Sequence, residues 1–279
     1  MPAAMTREDS PFRPGLFTGR VALITGGGTG IGLAIAEELA SLGASVALCG
    51  RRIEPVTLAA EALAAKGYQA MAGSVDIRSP DAIEAFVKEV IARFGHIDVL
   101  VNNAGGQFPS PAKLISPKGF EAVVRNNLLG TFNVTSVVAN MAMIPQRKGR
   151  IINVIANVVR GFPGMAHTGA ARSGVDNLTK SLAVEWAPYG IQVNAVAPGT
   201  IRSTGTDRYP PELVVKAEQQ TPAGRLGSPA EVSHLVTFLV SDAADYVTGS
   251  TFYIDGGASL WGDIWQIEEP APTQGHKGG

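Results

Sequence analysis

The sequence predicts an α/β fold: a single domain on a doubly wound parallel sheet of about seven strands, with helices on both faces. Three observations carry that expectation. Short β-branched runs alternate with longer segments of helical period. Successive runs lie roughly 25–50 residues apart, which suits right-handed strand–helix–strand crossovers. The 279 residues, 45% apolar and 17% charged, suffice for one sizeable core, and neither a linker nor an internal repeat divides them.

The first strand is expected at Val21–Ile24, an unbroken apolar run that leads through a glycine-rich turn into a helix over about Gly30–Leu42. Ser45–Cys49 reads as the second strand, Glu54–Lys66 as the second helix, Gln69–Val75 as the third strand and Pro80–Phe94 as the third helix. Val99–Asn102 follows as a strand, then a long helix over Lys118–Ile144, a strand at Arg150–Ile155 and a helix over Thr168–Tyr189. A strand at Gln192–Val196, a helix over Pro229–Ser241 and a strand at Thr251–Ile254 complete the pattern. Residues 1–18 and 262–279 are rich in Pro, Gly and charge and read as an N-terminal arm and a flexible C-terminal tail, leaving 19–261 as the domain. Arg202–Arg225, with Pro210-Pro211 and Thr221-Pro222-Ala223-Gly224, follows a strand end and is placed to be a mobile lid.

Composition narrows the function. A formal net charge of −1 argues against a nucleic-acid partner. No apolar run approaches the roughly 20 residues that span a bilayer, and the first nine residues lack an apolar signal segment. Cys49, the only cysteine, lies in an apolar run and reads as a buried core thiol. One cysteine excludes intrachain disulfides and suits a reducing cytoplasm. The ending His276-Lys277-Gly278-Gly279 is not a peroxisomal Ser-Lys-Leu address. Four scattered histidines give no ligand spacing, so no metal is expected.

Thr25–Gly32 reads Thr-Gly-Gly-Gly-Thr-Gly-Ile-Gly, between an apolar run and Leu33-Ala34-Ile35-Ala36. Gly26, Gly28, Gly30 and Gly32, with Thr29 and Ile31, form a turn that a phosphate can approach without meeting a β-carbon. The helix that follows aims unpaired N–H groups and its dipole at an anion. Strand, turn and helix in that order make a diphosphate site, and a nicotinamide dinucleotide is the expected ligand. The second strand ends in Cys49-Gly50-Arg51-Arg52. A free ribose 2′-hydroxyl is usually met there by a carboxylate, whereas Arg51 and Arg52 offer forked donors to a 2′-phosphate and favour NADP(H). The alternative is solvated charge at a helix start. Asp76, with Ile77 beside it, is placed to accept from an adenine amino group or to cap a turn. In Asn102-Asn103-Ala104-Gly105-Gly106 small residues let the backbone approach the adenine ribose.

Together these residues resemble the short-chain dehydrogenase/reductase family over about residues 18–258, through Thr25–Gly32, Asp76, Asn102–Gly105, Asn127-Leu128-Leu129-Gly130, Pro198-Gly199 and Asp255-Gly256-Gly257. The resemblance implies a Rossmann-type domain and a nicotinamide cofactor whose site takes in Asn103, Ala104, Gly105, Pro198, Gly199 and Ile201. It also implies a homotetramer or homodimer built through the two long helices. The family sets an Asn and a Ser beside Tyr-x-x-x-Lys. Asn127 matches the Asn. Ala156 stands at the serine position, and counting back from Val175-Asp176-Asn177-Leu178-Thr179-Lys180 puts Thr168 and Arg172 at the tyrosine and lysine positions.

That departure redirects the chemistry. A threonine hydroxyl is too weak an acid to protonate an alkoxide efficiently, so ordinary ketone reduction is disfavoured. Reducing a C=C bond conjugated to a thioester is less demanding, because charge collects on the thioester oxygen as an enolate and needs hydrogen-bond donors. Thr168 is the expected donor and Arg172 the residue that holds the nicotinamide ribose and keeps the field positive. Asn127 is expected to organise a water chain or the adjoining helix. Gly105-Gly106-Gln107-Phe108, Gly161-Phe162-Pro163 and His167-Thr168-Gly169-Ala170-Ala171-Arg172 sharpen the resemblance toward the NADPH-dependent peroxisomal trans-2-enoyl-CoA reductases. These are related to the 2,4-dienoyl-CoA reductases, but Asn157-Val158-Val159-Arg160 lacks the tyrosine that the dienoyl branch can place there.

The implied function is NADPH-dependent reduction of the C=C bond of 2-enoyl thioesters, with acyl-CoA as substrate. Two other readings stay open. One is a carbonyl or 3-ketoacyl reductase in which His167, or Tyr209 of the lid, replaces the missing tyrosine. The other is an NADP-binding protein with little catalysis. His167 reads equally as a proton relay and as a packed helix-start histidine. Trp261 and Trp265 read either as closing a neighbouring subunit's acyl pocket or as anchoring the tail.

Overall fold

The computed structural model describes residues 10–203 and 211–260. Seven strands form one sheet: β1 (Val21–Thr25), β2 (Ser45–Gly50), β3 (Ala70–Ser74), β4 (Val99–Asn102), β5 (Gly149–Val154), β6 (Ile191–Pro198) and β7 (Thr251–Ile254). Their order is β3-β2-β1-β4-β5-β6-β7, and every pairing is parallel. All strands therefore end on the same edge. The order reverses between β1 and β4, and a doubly wound sheet opens its crevice at that point.

Helices cover both faces, which is why β1, β4 and β5 are buried along their whole length. On one face lie α1 (Gly30–Ser41), α2 (Ile53–Ala65) and α9 (Pro229–Val240). Their Ile35, Leu39, Leu63 and Val236 pack on Ile24, Val46 and Val101. On the other lie α3 (Pro80–Phe94), a long rod and α7 (Ala166–Trp186), whose Phe86, Val134, Val138 and Leu182 pack on Leu23, Leu100 and Val193. The rod spans Pro117–Gln146. It is built from α4 (Pro117–Val124), a π turn at Arg125–Leu129, α5 (Gly130–Val138), a second π turn at Ala139–Met143 and α6 (Ile144–Gln146).

β4, β7 and α3 fall on the bounds expected from sequence. For α3 the reasons are local. The Ser79 side chain caps it by accepting from the Ala82 N–H, Pro80 opens it, and Gly95 closes it with a left-handed φ of 88°. Within the expected lid the structure adds α8 (Pro211–Gln219), which the sequence reading did not separate. Both feet of that segment are tied. Ile201 and Gly227 form an isolated parallel bridge, the Arg202 N–H donates to Gly227 O at 2.8 Å, and the Gly227 N–H donates to Thr200 O at 3.1 Å. From residue 10 onward the expected arm packs on the domain: Phe17 is 1% exposed and joins the core, and Ser10 Oγ donates to Glu38 Oε1 at 2.6 Å. Tyr209, Trp261 and Trp265 lie outside the described residues.

Candidate active site

The cradle is stitched from the turns after β1 and β4. Thr25 Oγ1 accepts from the Asn103 N–H at 3.0 Å and the Ala104 N–H at 2.9 Å. Asn103 Nδ2 donates back to the carbonyls of Thr25 and Gly26, both at 3.1 Å. Gly26 and Gly30 take left-handed φ values of 66° and 58°, a conformation open to glycine at little cost. A β-carbon on Gly32 would lie 2.3 Å from Gly26 O, so α1 starts hard against the turn. The result is a cleft of about 660 Å³ at the sheet's reversal point. Its walls include Gly26, Gly28, Thr29, Gly30 and Ile31 on one side and Ile77, Asn103, Ala104 and Gly105 on the other. Arg51 and Arg52 also line it.

Gly50, Pro55, Val56, Val75, Asn126 and Ser203 line the cleft too, without having been singled out from sequence. Gly50, Val75 and Asn126 each stand one position before a residue that was, so the edges of the motifs were the available signal. Gly32, Asp76, Pro198, Gly199 and Ile201 are not in its wall. Gly32 is the packing contact just described, Pro198 ends β6, and Ile201 is buried in the core. Asp76 is turned to Arg78, which donates through Nε at 2.9 Å to Oδ1 and through Nη2 at 2.5 Å to Oδ2. That guanidinium holds the Asp76 carboxyl down at about 2, with Arg51 adding to the field. Asp76, Arg78, Lys118 and Arg125 line a neighbouring charged cavity of about 500 Å³.

Asn127 and Arg172 converge behind Gly105 and Gly106. The π turn of the rod sets Asn127 inward. Its Nδ2 donates to Gly106 O at 2.7 Å and Val123 O at 2.9 Å, and its Oδ1 accepts from the Gly106 N–H at 3.3 Å. Both amide hydrogens are thereby used on backbone, so the side chain clamps the loop after β4. Arg172, on α7, donates from Nη1 to Val154 O at 3.0 Å. Its Nη2 lies so near Gly105 that a β-carbon there would be 2.4 Å away. Arg172 is 7% exposed, its Nε has no partner among the described residues, and none of their carboxylates pairs with it. Burial pushes its guanidinium down to about 10.

One turn earlier on α7, Thr168 and His167 are fully buried. His167 Nδ1 accepts from the Thr168 N–H at 2.8 Å, which assigns the ring proton to Nε2. Thr168 Oγ1 lies 3.3 Å from the same nitrogen. His167 Nε2 has no partner among the described residues, and the ring packs edge-on with Phe108, centroids 4.5 Å apart. A relay through Nδ1 would have to break the bond to the Thr168 N–H. The loops that bear these groups are laced together where the Ser110 N–H donates to Gly164 O at 2.7 Å.

A cleft walled by bare glycine at a helix start, with two arginines and an uncompensated buried guanidinium beside it, suits an anionic dinucleotide. The sheet, its reversal point and this cradle define a Rossmann-type oxidoreductase. A family model described as "Enoyl-(Acyl carrier protein) reductase" matches residues 26–259, and the chain belongs to the short-chain dehydrogenase/reductase family, whose members use a nicotinamide cofactor. The chain is 39% identical over 265 residues to the peroxisomal 2,4-dienoyl-CoA reductase, (3E)-enoyl-CoA-producing, of Danio rerio, covering 92% of this chain and 87% of that one. It is 40% identical over 239 residues to the 3-oxoacyl-[acyl-carrier-protein] reductase FabG of Staphylococcus aureus, covering 85% and 96%. Among solved structures it is similar to the citronellol catabolism dehydrogenase AtuB of Pseudomonas aeruginosa, with 45% identity, a TM-score of 0.82 and coverage of 90% and 99%.

Proposed function

We propose that the protein uses NADPH to reduce the C=C bond of 2-enoyl thioesters, with acyl-CoA as the substrate. The observation that supports this most is the pairing of an uncompensated, buried Arg172 with the absence of a phenol at Thr168. Thr25, Asn103 and the turn from Gly26 to Ile31 would hold the dinucleotide, with Arg51 and Arg52 on its 2′-phosphate. When bound there, the nicotinamide would supply a hydride to the substrate's β-carbon, and the α-carbon of the resulting enolate would take its proton from water. Arg172 keeps a fixed positive charge in a dry site, where it is worth far more than in water. Negative charge gathering on the thioester oxygen is stabilised by that field and by a hydrogen bond from the Thr168 hydroxyl. Asn127 positions Gly105 and Gly106.

The similarity to 2,4-dienoyl-CoA reductases agrees with a conjugated thioester substrate and adds the dienoyl esters to the candidates. A second reading, reduction of 3-ketoacyl thioesters, is favoured by the unpartnered His167 Nε2–H as donor and by the likeness to FabG. Exposed Leu129, Phe132 and Val184 on the two long helices support a homo-oligomer. The lone buried Cys49, its thiol pushed up to about 12 by burial, suits a reducing cytoplasm. The deciding experiment follows NADPH and NADH oxidation with 2-enoyl-CoA, 2,4-dienoyl-CoA and 3-ketoacyl-CoA series in parallel. Oxidation of NADPH with the enoyl or dienoyl series alone supports the proposal. Oxidation with ketoacyl esters transfers it to the second reading, and silence with all three overturns both.

A further inference from the structure

Three segments at the carboxyl edge of the sheet meet at one carboxylate. Asp255 follows β7 directly. Its Oδ2 accepts from Asn157 Nδ2 at 2.9 Å and from the Ser259 N–H at 2.7 Å, and its Oδ1 accepts from the Gly257 N–H at 3.0 Å. Asn157 is the residue after Ala156, and its own N–H donates to Pro198 O at 3.3 Å. Gly199 passes close enough that a β-carbon would lie 2.8 Å from Asp255 Cα. The turn that Asp255 shapes then receives the returning limb of the 202–226 segment. The Ala223 N–H donates to Gly256 O at 3.1 Å, and a β-carbon on Gly256 would lie 2.7 Å from Thr221 Cγ2. None of these residues lines the dinucleotide cleft.

We infer that Asn157 and Asp255 are a positioning pair for the thioester substrate: the bond between them sets the loop that carries Ala156 against the limb at 221–224, and so fixes the acyl side of the site. The substrate named here rests on the thioester reading above; the mechanical coupling does not. An amide N–H donated to a carboxylate is charge-assisted and stronger than a neutral pair. Each end anchors a different loop, so losing the bond frees both.

Asn157→Ala removes the donor and leaves Asp255 its bonds to Gly257 and Ser259. With that variant KM for a 2-enoyl-CoA rises about tenfold, while the Kd for NADPH, read by fluorescence, is unchanged. Amide hydrogen exchange quickens in both 155–165 and 211–226. Asn157→Gln keeps an amide donor for Asp255 Oδ2 and leaves the bonds from the Gly257 and Ser259 N–H groups in place, so it recovers part of both KM and protection. Wild-type exchange at 211–226 in Asn157→Ala, or no recovery in Asn157→Gln, overturns the inference. Because exchange needs no turnover, a wild type silent on every thioester would remove the proposed function and leave this result readable.

Discussion

Two arginines are buried at opposite ends of β5, and their surroundings differ. Arg150, near the strand's start, is 5% exposed and pairs with Asp245 and, at 3.6 Å, with Asp242, which Arg20 also holds at 2.5 Å. Arg172 reaches the strand's other end, where it has the Val154 carbonyl and, among the described residues, no acid. Taking a guanidinium out of water is costly unless a carboxylate compensates it. The first end of β5 is thus a structural ion-pair cluster, and the second keeps a charge that the fold alone does not repay. A doubly wound sheet places its chemistry at the carboxyl ends of its strands, and here the contrast is drawn within a single strand.

Exchanging each charge for a neutral group of similar shape breaks that contrast in opposite directions. Arg172→Met is expected to lower turnover at least about 100-fold while thermal unfolding stays level or moves upward, since a desolvated charge has gone. A variant that lost stability in proportion to activity would make Arg172 structural after all. At the other end, Asp242→Asn combined with Asp245→Asn leaves Arg150 without an acid. It should lower the unfolding free energy by about 1 kcal/mol in urea titration, because Arg150 is buried but both acids are largely solvated, with NADPH binding unaltered.

The cofactor end offers a milder test. Arg51→Ala with Arg52→Ala should weaken NADPH about tenfold by titration and leave NADH nearly untouched, because only the 2′-phosphate would meet those charges. Equal weakening of both would return the pair to solvated surface. Smallest of all is Glu231, which Arg225 holds at about 2, down from 4.5. A carboxylate held low favours the folded chain at neutral pH, and that advantage is lost as pH falls from about 4.5 toward 2. Glu231→Gln keeps a partner for Ser228 and should flatten that acid limb of stability by less than about 1 kcal/mol, because the pair is well solvated.

What the sequence revealed follows the same division. The glycine cradle and the strands beside it were legible because local rules settle them: a buried β-branched run, a turn that admits no β-carbon, a capped helix such as α3. Ala156, Thr168 and Arg172, the residues proposed to bear on the chemistry, were reached by register, counted from fixed neighbours. What they do was not. The π turn at Arg125–Leu129 has no composition signal, and only the amide of Asn127 on Gly106 explains its inward turn. Arg78 lies two residues from Asp76, yet the fork between them depends on two rotamers. The Asn157–Asp255 bond joins residues 98 positions apart, a separation at which periodicity is silent.

The bridge between Ile201 and Gly227 reaches further than its two residues. Because both ends are tied to the domain, whatever lies between them is a closed loop whose ordering cost grows slowly with length, about 0.6 kcal/mol for each doubling. Such a stretch is an exchangeable cassette. Descendants of this chain can lengthen, shorten or rewrite its middle, between Ser203 in the cleft wall and the 221–223 contacts with the Gly256 turn, and the sheet and Arg172 need not register the change.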